Sequence, residues 1–261
     1  MIASQRGGLW TWGVSAVAVL ALSFLGVAPA VAEEAPSSAA PEDEAVDLFD
    51  AIEAGQVEAR FIPRDERQAR LFVKNVSDQP INVRLPDAFA GVPVLQQGGF
   101  GGGGGGFGGG GGGGGSQGVG GGGGGGRNNF NIAPEEVAEA KLTTVCLEYG
   151  KPEPRANMPY EIRPIEEFTT APGVRELVKG LGYGEIDQRV AQAAAWHLNN
   201  GMEFERMAAL RTRHANGLQS RYFSRQELQA AYAVVQRALE LAEQNDENSQ
   251  SPVSGRVPQG L

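Results

Sequence analysis

A single cysteine, Cys146, in a chain of 261 residues excludes an intrachain disulfide framework. The only two histidines, His197 and His214, stand 17 positions apart. No close Cys/His spacing accompanies them, so no metal site is expected. Positive charge is scarce as well: 22 Lys and Arg face 31 Asp and Glu, for a net charge of −9. Nucleic-acid binding relies on clustered cations to neutralise phosphate, and no such cluster stands out, so neither nucleic acid nor an anionic membrane surface is an expected partner. Long apolar runs are absent but for one near the start.

That run decides the expected destination. Arg6 gives a short positive region, Gly13 to Ala28 is almost entirely apolar, and Ala30-Val31-Ala32 precedes Glu33 and Glu34. Charge, apolar stretch and A-x-A form the signature of a cleaved secretory signal. A membrane anchor is the alternative, but a span needs about 20 apolar residues, and this run is shorter and ends at Pro29. Residues 1–32 therefore read as a signal peptide cleaved after Ala32. No cysteine follows the run to carry a lipid, and no twin arginine precedes it. The membrane is met only through the signal, and the mature chain is expected to be secreted or held in the periplasm or cell envelope. Cleavage removes one Arg and no acid, leaving 21 cations against 31 acids.

What the sequence has in excess is glycine. Residues 98–126 hold 24 glycines in 29 positions, interrupted by Phe100, Phe107, Ser116, Gln117 and Val119. Glycine loses the most entropy on folding and brings no side chain to bury, so the tract reads as a flexible insert spanning 98–136. An interaction tract using its phenylalanines is the alternative. Its many matches to G-x-G-x-x-G lack a following helix that could present its N-terminus to a phosphate, and no cofactor is expected.

Around the insert, period-2 and period-3.6 patterns divide the chain. A flexible acidic segment covers 33–41. Residues 42–55 read as a leading helix, with acids at its start and Gly55 at its end. Val57–Phe61, Ala69–Val73, Ile81–Leu85 and Lys141–Tyr149 alternate as strands, with Val92–Leu95 as a short further one. On the strand around Cys146, Val145, Leu147 and Tyr149 point one way and Thr144, Cys146 and Glu148 the other. Lys151–Ile165 holds four prolines and reads as an extended connection. Four helices follow: Pro172–Lys179, Gly184–Asn200, Met202–His214, and one opened by the capping box Ser224-Arg225-Gln226-Glu227. The tail 246–261 is polar and reads as disordered. The expected fold is α+β: a small antiparallel sheet from 57–95 and 141–149, packed with a C-terminal four-helix module and interrupted by the disordered insert. The expected parts are a β-rich one over 42–97 and 137–168 and a helical one over 169–245.

Three chemistries could use the lone thiol. A cysteine hydrolase needs a base and an orienting group; His197 or His214 and Glu148 supply the residue types, but no family signature surrounds Cys146. A small buried hydrophobe is the plainest reading. The third joins Cys146, on a strand, to Gln192 of Ala191-Gln192-Ala193-Ala194-Ala195-Trp196, on the central helix. This pairing resembles the motif of bacterial surface thioester domains. The resemblance implies a bond between the Cys146 sulfur and the Gln192 side-chain carbonyl carbon, with loss of ammonia, giving an electrophile that captures amines. Val145 and Ala191 depart from that motif. Glu148, Trp196 and His197 are the neighbours such a site would use.

The stretches FDAIEAGQVEARFIP, NVSDQPINVRLPDAFAGVPV, VCLEYGKPEP and GEIDQRVAQAAAWHLNNGMEFERMA together resemble a family of uncharacterised secreted bacterial proteins. That resemblance implies a signal peptide, a β-rich part, a low-complexity insert and a helical C-terminal part. The expected role is structural or protein-binding and non-catalytic, with an unknown protein or surface partner. A thioester adhesin is second and a cysteine enzyme third.

Overall fold

The computed structural model describes residues 45–94, 114–122 and 128–250, all within the unit Ser38–Leu261. The expected signal peptide, residues 33–41 and the phenylalanines of the glycine tract lie outside the described residues; of the expected disordered tail 246–261, residues 246–250 are instead helical and the rest lies outside the described residues.

The strands do not form one small sheet. Six close into a barrel in the order β2 (Val57–Pro63), β3 (Gln68–Asn75), β8 (Val137–Cys146), β6 (Gln117–Gly120), β5 (Ala88–Pro93) and β9 (Tyr160–Pro164). Closure removes the exposed sheet edges that an open sheet would carry. β2 and β3 pair from Val57↔Asn75 to Pro63↔Ala69. Their turn is held by the Asp65 carboxylate, which accepts from the amides of Arg67 and Gln68 at 2.9 Å each. β4 (Ile81–Arg84) leaves the barrel. It lies between β1 (Val46–Asp47) and β7 (Asn129–Ile132) in a separate three-stranded sheet. α1 (Leu48–Glu53) is shorter than expected and is capped by Asp47, whose carboxylate accepts from the Phe49 amide.

Two further expectations are corrected. The proline-rich connection ends in β9, a barrel strand joined to β5 from Phe89↔Pro164 to Pro93↔Tyr160. Part of the glycine tract is also a barrel strand: β6 pairs with β5 on one side and β8 on the other. A barrel wall cannot be a loose insert, so that expectation fails for residues 114–122, and β7, paired with β4, overturns it for 129–132 as well.

Alternation splits the core. Phe61, Leu71, Phe89, Val119 and Leu142 belong to one cluster, which also holds Leu48 of α1 and Val83 and Ile132 of the small sheet. Ala88, Ala90, Val145 and Leu147 belong to a second cluster beneath the helices. Three helices supply most of that layer: α3 (Val174–Gly182), α4 (Gln188–Asn200) and α6 (Arg225–Gln250). α2 (Ile165–Phe168) adds Ile165. The helix expected over Met202–His214 stops early, as α5 (Phe204–Ala209). The chain then turns into a hairpin of β10 (Arg211–Arg213) and β11 (Gln219–Arg221). The expected four-helix module over 169–245 is therefore three substantial helices, one short one and a hairpin.

Glycine lets the two layers meet. A Cβ on Gly120 would stand 2.3 Å from the Gly182 Cα, and one on Gly118 would stand 2.8 Å from a Val178 methyl. The β6 backbone thus runs directly under α3, where a side chain would not fit.

Among the described residues no helix is long and apolar enough to cross a membrane.

Candidate functional site

β8 ends where β3 stops covering one of its edges. The amide of Thr144 still donates to the carbonyl of Arg67 at 2.8 Å, but beyond that point α4 takes over. The Gln192 side chain accepts from the Cys146 amide through Oε1 and donates to the Cys146 carbonyl through Nε2, at 2.8 Å each. Gln188 donates to the Thr144 carbonyl at 3.1 Å, one helical turn earlier. Asn199 donates to the Leu147 carbonyl at 2.7 Å, and the Tyr149 amide donates to Asn200 at 3.0 Å. Four amide side chains of one helix therefore satisfy the strand edge that lacks a neighbouring strand. Buried main-chain groups left unpaired cost about 1–3 kcal/mol each, which explains why the carboxamides sit at these positions.

Cys146 and Gln192 are brought together, but through the cysteine's main chain. The thiol itself donates to the Glu148 carbonyl at 3.3 Å. α4 packs against Val145 and Leu147 on the opposite face, while its Trp196 side chain reaches the thiol and acts to lower its pKa. The cover over the thiol comes from the glycine tract. A Cβ on Gly115 would stand 3.0 Å from Sγ, the Tyr160 hydroxyl donates to the Gly115 carbonyl at 2.8 Å, and the Ser116 amide donates to the Glu148 carboxylate at 3.0 Å. Cys146 is 8% exposed. Burial pushes its pKa above the ordinary thiol value, outweighing the hydrogen bond to Glu148. That shift is opposite to the one that activates a nucleophilic cysteine.

Trp196, besides neighbouring the thiol, is held among aromatic rings, and the two histidines are engaged elsewhere. Trp196 stacks on Tyr222 at 5.6 Å and meets Tyr149 and Phe223 edge-on at 4.9 and 5.7 Å. His197 bonds through Nδ1 to the Met202 carbonyl at 3.0 Å and stacks on Phe204. His214 bonds to the Ser220 hydroxyl at 2.8 Å. Neither histidine is hydrogen-bonded to Cys146. Among the described residues no group of three or more His, Cys, Asp or Glu could hold a metal ion.

A second feature was missed in the sequence. From Arg206 to Arg225 there are five arginines, His214 and no acid, in a chain whose net charge is −9. The hairpin holds Arg211, Arg213, His214 and Arg221, while Arg206 lies on α5 and Arg225 opens α6. Arg211 and Arg221 are directly opposite in register, and all five arginines are exposed. Among the described residues none of the five has a carboxylate within ion-pair distance. Arg211 instead donates to the carbonyls of Ala208 and Leu210 at 2.9 and 3.0 Å, and Arg206 lies 5.5 Å from the Tyr149 ring centre. Leu218, at the hairpin tip, is 66% exposed. The signals were the acid-free run and Asn216-Gly217, a turn dipeptide; Gly217 has φ +82°.

Comparison with family models, curated proteins and solved structures returns no match.

Proposed function

We propose that this chain is an exported, non-catalytic binding protein of the cell envelope or exterior, and that the arginine hairpin engages an acidic protein partner. The unpaired arginines carry the reading. Like charges opposite each other on a hairpin are unfavourable, and a carboxylate-rich partner would relieve them. Arginine's planar fork suits bidentate carboxylate pairing. Export rests on the charge, apolar run and A-x-A site of residues 1–32. The non-catalytic part rests on the raised thiol pKa and on the full use of the Gln192 carboxamide in main-chain bonds. The thioester adhesin is the second reading, favoured by the proximity of Cys146 and Gln192.

The test is a titration of the mature chain into a labelled oligoglutamate peptide, followed by fluorescence anisotropy. Binding should weaken steeply with salt and be lost in the triple variant Arg211→Glu, Arg213→Glu, Arg221→Glu. Equal binding by that variant would refute the hairpin as the contact surface.

A further inference from the structure

A second positive site lies on the outer wall of the barrel. There β2, β3 and β8 run side by side. Register places Ile62 beside Arg70 and Arg70 beside Lys141, with Gln68 beside Thr143 in the next row. Arg64 follows at the turn, its side chain donating to Gln68 at 3.1 Å. These residues line a cleft of about 530 Å³, to which Pro63 and Ala156 add apolar wall. Ligand sites commonly occupy about 300–1,000 Å³.

Three properties converge. Arg70 and Lys141 are directly opposite on one face, an arrangement that costs energy without an anion between them. No carboxylate is among the cleft's lining residues. Arg70 meets Glu139, from the row beyond, only at 3.7 Å, and among the described residues Lys141 has no ion-pair partner. Gln68 and Thr143 add neutral donors and acceptors, while Ile62, Pro63 and Ala156 offer an apolar surface beside the charges.

We infer that this cleft binds a small amphipathic anion: a singly headed carboxylate, sulfonate or phosphate whose apolar body lies along Ile62, Pro63 and Ala156 and whose head sits between Arg70 and Lys141. The inference is independent of the hairpin and of its partner.

The probe is 8-anilinonaphthalene-1-sulfonate, read by fluorescence with the mature chain in its native state. One molecule should bind per chain. The double variant Arg70→Glu, Lys141→Glu should weaken it about tenfold or more, because charge-assisted contacts are the strong ones. Arg84→Glu, an exposed charge change on β4, should leave it unaltered. Near-UV circular dichroism of the double variant should match the parent; if it does not, Arg70→Gln with Lys141→Gln replaces it. N-phenyl-1-naphthylamine, the same rings without the sulfonate, should bind far more weakly. Decanoate and decyl phosphate should each displace the probe, and the tighter of the two names the head group. Inorganic phosphate at the same concentration should not displace it. The inference is overturned by failure of the probe to bind, by binding indifferent to the double variant, by equal binding of the uncharged ring system, or by displacement with inorganic phosphate alone.

Discussion

Gln192 is the residue on which the two readings of the thiol diverge. As a prospective thioester partner it would offer a carbon to Cys146; as found, it offers a donor and an acceptor to the Cys146 main chain. Replacing it by alanine leaves both groups buried without partners and should cost about 2–4 kcal/mol in urea unfolding. Gln192→Glu is the more discriminating change. Its carboxylate can accept from the Cys146 amide but cannot donate to the carbonyl, so two acceptors would face each other. Protonation restores the missing donor. The variant should therefore be most impaired at neutral pH and recover relative to the parent as the pH falls. A variant equally stable as the parent at neutral pH would show that the pairing contributes little. Sequence alone located both residues and paired them. It did not reveal that the contact runs through the backbone, because residue types say nothing about which edge of a strand lacks a neighbour.

At the scale of elements, the contact between β6 and α3 is the least tolerant part of the fold. Gly120→Ala would drive a Cβ to 2.3 Å from the Gly182 Cα and 2.4 Å from the Val178 carbonyl. Backbone atoms cannot turn aside as a side-chain tip can, so the variant should lose about 1–3 kcal/mol or more, the usual cost of overpacking, as a lowered melting temperature. Deleting 98–126 should abolish cooperative unfolding, because it removes a barrel strand. Asp87 fastens the same region, accepting from Lys179 at 2.8 Å and from the Tyr183 hydroxyl at 2.7 Å. Desolvation acts to raise its pKa, but these two donors outweigh it and hold the carboxyl below its usual range. The unfolded chain then takes up this proton at higher pH than the folded one. The stabilisation is present above the ordinary carboxylate pKa and is lost as pH falls through the lowered value. Asp87→Asn should flatten that part of the acid unfolding curve, and an unchanged curve would contradict the assignment. The capping box at Ser224 and Glu227 was legible and forms as expected, with reciprocal bonds of 3.1 and 2.6 Å. β6 was not legible, because strand patterns are carried by side chains and glycine has none. Its one mark was Ser116, Gln117 and Val119, the non-glycine residues clustered where the strand forms.

For the whole molecule, alternation identified four of the six barrel strands in whole or in part, and helical spacing identified α3, α4 and α6. Closure into a barrel was hidden because two of its walls came from segments that composition marked as irregular, one rich in glycine and one in proline. The thiol reports on how these parts join. Cys146 stands on β8, its main chain is held by α4, and its side chain is covered at Gly115. Its protection therefore requires barrel, helix and glycine segment together. The most direct test is the intact mass of the mature chain after treatment with iodoacetamide, first native and then in denaturant. The native chain should keep an unaltered mass, with no ammonia missing, and a single adduct should appear after denaturation. A native adduct would contradict the burial of Cys146 by the glycine segment, and a mass lighter by one ammonia would contradict the main-chain pairing of Gln192 in favour of the thioester.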